Sequence, residues 1–117
     1  METPNNPHFF LTNEQTNIKV NLTLENQNNI LVILAKNEPL KDFNEYMIEY
    51  TLSSLYKLHK SFKMFETIDE IIEFLSQIIQ AKEVKIYPDN EKGGLILELN
   101  ISIGVKKEKI KIKLHKR

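Results

Sequence analysis

The chain has 117 residues, no cysteine and a formal net charge of zero, long enough for one domain with a single core and no need of disulfide or metal staples. The lack of cysteine excludes disulfides, thiolate nucleophiles and cysteine-ligated zinc. No run approaches the roughly 18 apolar residues of a membrane span, and Met1-Glu2-Thr3-Pro4-Asn5-Asn6-Pro7 lacks the basic flank and apolar core of a secretory signal, so a soluble, cytoplasmic chain is expected.

Residues 1–15 are polar, hold two prolines and show no period. They read as a disordered arm, with Phe9-Phe10-Leu11 able to dock loosely on a domain spanning 16–117. Ile18, Val20, Leu22 and Leu24 then alternate with Lys19, Asn21, Thr23 and Glu25, the pattern of a half-buried strand. Asn26-Gln27-Asn28-Asn29 is turn chemistry, because asparagine tolerates the left-handed region. The short apolar run Ile30-Leu31-Val32-Ile33-Leu34 suits a strand buried on both faces and completes a hairpin. Asn37-Glu38-Pro39 breaks it.

A third strand is expected over 45–51, with Tyr46, Ile48 and Tyr50 on one face. Leu52, Leu55, Tyr56, Leu58, His59 and Phe62 follow at three- and four-residue spacing, as in a short helix capped by Thr51 or Ser53. Thr67-Ile68-Asp69-Glu70 matches the capping box, and Ile68, Ile71, Ile72, Leu75, Ile78 and Ile79 form one apolar stripe. That predicts a helix from about 67 to 81. Val84 and Ile86 begin another strand, and the loop Pro88-Asp89-Asn90-Glu91-Lys92-Gly93-Gly94 ends it. Leu95, Leu97, Leu99, Ile101 and Ile103 alternate next, a turn is expected from Gly104 to Glu108, and Ile110, Ile112 and Leu114 make the last strand. The order β-β-β-α-α-β-β-β predicts an α+β fold: an antiparallel sandwich or barrel-like sheet of about six to seven strands, with a helix-turn-helix inserted after the third or fourth.

Residues that could carry chemistry are few. His8, His59 and His115 are far apart and no carboxylate joins them at metal or triad spacing. Asp69, Glu70 and Glu73 sit where helix capping and solvation explain them. Gly93-Gly94 opens a strand, not a helix, so it is a hairpin turn and not a phosphate cradle. Asn21-Leu22-Thr23 and Asn100-Ile101-Ser102 match the glycosylation pattern but fall inside predicted strands. No catalytic residue, metal site or cofactor is expected.

Two clusters remain. Phe62, Met64 and Phe65, with Phe74 on the next helix, suit core positions; left exposed, they would form a protein-interaction patch. Lys109, Lys111 and Lys113 share one strand face, within a stretch from 105 to 117 that holds seven basic residues and one acid, a net of +6. A phosphate backbone could use that stripe. A solvated edge strand could use it too, because lysines block edge pairing. The strand offers no aromatic for stacking and no groove-reading helix, which favours the edge-strand reading over nucleic acid. The chain is rich in Asn, Lys and Ile with a single arginine, Arg117, a bias read as that of an AT-rich genome.

The stretch from Tyr46 through Ile48, Tyr50-Thr51-Leu52, Leu55, Leu58, Phe62 and Phe65 to Ile71, Phe74 and Leu75, with three strands after it, resembles the globular head shared by centriole-cartwheel assembly proteins and the scaffolds of DNA end joining. The resemblance covers roughly 16–117. It implies a β-sandwich carrying a helix-turn-helix, with a coiled coil following the last strand beyond Arg117. Those heads usually have four strands before the helices, and the sequence departs from them in showing three, unless Phe9-Phe10-Leu11 supplies one. The expected function is a non-enzymatic interaction or oligomerisation head of a cytoskeletal or scaffold protein, acting on protein partners or on itself, the isolated domain being a monomer or weak dimer. The alternative is a nucleic-acid-associated module using the lysine-rich strand.

Overall fold

Asparagine lets the first hairpins turn tightly. In the computed structural model, which describes residues 7–37 and 45–117, β1 (His8–Asn13), β2 (Ile18–Gln27) and β3 (Ile30–Asn37) pair antiparallel in sequence order. The β2–β3 loop is only Asn28-Asn29, both at positive φ (52° and 67°), the backbone that matches the twist of a two-residue hairpin. Residues 1–6 of the expected arm, and residues 38 and 39 of the expected break, lie outside the described residues.

His8–Asn13 is therefore a strand and not a loosely docked arm. Phe9 and Leu11 alternate with exposed neighbours and pack half-buried on the core. The alternation is short and Phe10 faces outward, which hides the period in a proline-flanked polar segment.

β4 (Glu45–Thr51) pairs with β3 and leads into α1 (Leu52–Leu58), capped by Thr51, whose hydroxyl accepts from the Ser54 N–H at 3.1 Å. The helix is shorter than the spacing to Phe62 predicts. His59 is extended (φ −157°) and its ring caps a separate 3-10 turn, Lys60–Met64, by accepting from the Ser61 N–H. α2 (Ile68–Gln80) starts on the predicted capping box: the Thr67 hydroxyl accepts from the Glu70 N–H at 3.1 Å, and the Glu70 carboxylate accepts from the N–H groups of Glu66 and Thr67. Those contacts, the Glu66 N–H foremost, hold the Glu70 carboxyl below its ordinary range. Thr67→Ala should lower stability by about 0.5–2 kcal/mol, measured by denaturant unfolding. No change would mean that the cap adds nothing.

β5 (Val84–Pro88), β6 (Leu95–Ile103) and β7 (Lys106–Lys116) complete an α+β fold: one antiparallel sheet in the order β1-β2-β3-β4-β7-β6-β5, with the helical pair inserted after β4. The β4–β7 seam is narrow, Tyr46 opposite Lys116 and Met47 opposite His115. At the far edges the Asn13 amide donates to the Ile86 carbonyl at 2.7 Å, so the sheet curls almost closed into a barrel. Gly94 lets the chain entering β6 lie close against β7, because a Cβ there would lie 2.1 Å from the Leu114 carbonyl oxygen. Val20, Leu22 and Leu24 of β2, Leu31 and Ile33 of β3, and the inward residues of β6 and β7 fill the core. Ile68, Ile71, Leu75 and Ile79 of α2 close it.

Candidate functional site

The tight turn between β6 and β7 creates the first element of the site. Ile103 pairs with Lys106, so the loop is only Gly104-Val105, shorter than the turn to Glu108 that the sequence suggests. Gly104 takes the positive φ (63°) that the turn requires. Val105 then stands at the tip, fully exposed.

Behind the tip lies a groove of about 610 Å³ between α2 and the β6–β7 hairpin. The α2 stripe is wider than the core needs, so Phe74 and Ile78 are only half-buried and face it, joined by Ile101 of β6. Gln77, Glu83, Ser102, Lys107 and Glu108 form a polar rim. An apolar floor with a polar rim is how an interaction surface is built. The sequence reading missed it, although one signal was present: valine occupies a hairpin position where Asn, Asp, Ser or Gly is usual.

The aromatic cluster divides. Phe62 is fully buried, edge-on to Phe74 at 6.1 Å (88° between planes), so it is a core residue and cannot meet a partner. Phe65 is half-buried against Phe74 at 4.9 Å, and its carbonyl accepts from the Tyr56 hydroxyl. Met64 alone of the three is exposed. Residues two apart in a helical turn point to different sides, so the 3-10 turn that carries Phe62 into the core leaves Met64 outward.

His59 acquires a carboxylate that lies 49 residues away in sequence. Its Nε2 is 2.8 Å from Glu108 and its Nδ1 is 2.8 Å from the Ser61 hydroxyl. Lys60 reaches the other Glu108 oxygen at 3.3 Å. Lys60, and then His59, hold the Glu108 carboxyl below its ordinary range. The distances mimic a serine–histidine–acid triad, but Ser61 is only 3% exposed and does not line the groove. Its N–H also occupies Nδ1, so the cluster caps the 3-10 turn and ties it to β7. Among the described residues no three His, Asp or Glu side chains converge as a metal site would require.

Lys109, Lys111 and Lys113 do lie on one outward face. β7 pairs with β6 along Lys106–Leu114 but with β4 only at His115 and Lys116, so Lys109, Lys111 and Lys113 lie where β7 has a ladder partner on one side only, as the edge-strand reading expects. Opposite them Glu98 of β6 lies low among neighbouring side chains, 3.7 Å from Lys109 and 4.0 Å from Lys111, and accepts from the Tyr87 hydroxyl at 2.9 Å. No family model and no curated protein matches this chain. No helix of the described residues is long and apolar enough to cross a membrane.

Proposed function

We propose that this chain is a non-enzymatic protein-interaction head, of a scaffold or cytoskeletal protein, which associates with a second copy of itself through the hairpin tip and the groove. The observation that carries the reading is Val105, an apolar side chain held wholly in solvent beside a groove with an apolar floor. Exposing it gains nothing for the fold, whereas burying such a side chain in a partner gains roughly 1.5–3 kcal/mol. The groove is lined in part by Ser102 and Lys107, which flank the tip. Two copies can therefore exchange tips about a two-fold axis, each Val105 entering the other's groove. The four strands before the helical pair, the number that the resemblance to cartwheel and end-joining heads calls for, support the same reading.

A tip-in-groove contact covers less than the ~1,200 Å² of a standard interface, so it is weak. The expected result is a monomer at micromolar concentration that associates at roughly a hundredfold higher concentration, by sedimentation velocity. Val105→Asp should weaken association more than about tenfold, and Ile78→Glu on the groove side should do the same. A dimer that does not dissociate on dilution, or association unchanged in both variants, would overturn the reading.

A further inference from the structure

We propose that the outer face of β5–β7 is a docking surface for an extended, acidic polypeptide segment; it adjoins the groove, which Lys107 and Lys109 also line. Strand pairing places Lys85 opposite Glu98 and Glu98 opposite Lys111, with Lys107, Lys109 and Lys113 on the same side of β7. Five exposed lysines thus share a face with Glu98, which is only 6% exposed.

Solvation alone does not account for this face. The chain is neutral as a whole, so solubility calls for mixed signs and not for a face of one sign. Glu98 adds a further argument. Burying a carboxylate is costly unless it is paired and hydrogen-bonded, and this one receives the Tyr87 hydroxyl and lies between the ammonium groups of Lys109 and Lys111. It anchors those two lysines from below and leaves the remaining positive charge outward.

The chemistry favours polypeptide over nucleic acid. Lysines on alternate residues of β7 repeat at about 6.8 Å, the period of same-side residues in another extended chain. The face has no arginine fork, since Arg117 lies 3.7 Å from Glu45, and the hydroxyl of its tyrosine is engaged by Glu98. Bidentate phosphate recognition is therefore missing.

The test is fluorescence anisotropy with a labelled Glu-Ser repeat of about twelve residues, long enough to span β7. A Gln-Ser repeat and labelled single-stranded and duplex DNA serve as the other arms. The wild-type chain should bind the acidic repeat at low salt and lose it as salt rises, should not bind the neutral repeat, and should bind DNA more weakly. The variant K109Q/K111Q/K113Q should bind the acidic repeat about tenfold or more weakly. Because that variant strips Glu98 of both cations, K85Q/K113Q, which leaves Glu98 its contacts, is the control for folding and should weaken binding about threefold. No binding of the acidic repeat by the wild type, or binding unchanged in both variants, overturns the proposal. DNA binding tighter than peptide binding, and lost in the same variants, overturns it too by assigning the face to nucleic acid.

Discussion

Phe62→Ala should cost about 3–5 kcal/mol of folding stability, while Met64→Ala, two residues away, should fall within about 0.5 kcal/mol of wild type. The two side chains leave the same 3-10 turn in opposite directions, one into the core and one 66% exposed. Removing the Phe62 ring strips the edge-on contact with Phe74 and leaves a cavity that the neighbouring strands cannot fill. Domains of this size hold only about 5–15 kcal/mol in total, so the loss is a large fraction of it and should lower the midpoint by more than about 10 °C. Thermal and urea unfolding of the two variants decide the matter. Equal losses would show that Met64 is also packed, and a Phe62 variant within surface scatter would remove that ring from the core.

Leu75→Ala should cost about 2–5 kcal/mol by the same measurement. Leu75 is 1% exposed at the middle of α2, where the helix crosses the sheet. Ile72, on the flank of the same stripe, is half-buried; its truncation should cost less, because part of its surface is already in water. A Leu75 loss no larger than that of surface variants would mean that the stripe faces solvent. A loss confined to Ile72 would mean that the helix is rotated on its axis.

Much of this fold was legible in the sequence because its signals are local. The capping box at Thr67 works within one helical turn, so its geometry follows from residue identity alone. Alternation along 18–25 and 95–103 declares which side chains enter the core, because the strand period leaves no other choice. The asparagines at 28 and 29 announced their turn in the same way. The strand at His8–Asn13 was less legible: its two half-buried residues become a period only when β2 lies beside them.

What the tertiary structure alone decided was partnership across distance. Composition and spacing by themselves determined an α+β chain with an antiparallel sheet and one strongly amphipathic helix after a shorter helical segment. They could not say that Glu108 would meet His59, that Glu98 would lie beneath Lys109 and Lys111, or that Phe62 would turn inward while Met64 turned out. They also left Val105 an unremarked residue in a turn, where the folded chain makes it a bare tip beside a groove. The physical reason is the same in each case. Helix and strand periods report which face of an element is apolar, whereas charge pairing, grooves and exposure depend on which elements meet, and that is settled by the register of strands far apart in the chain.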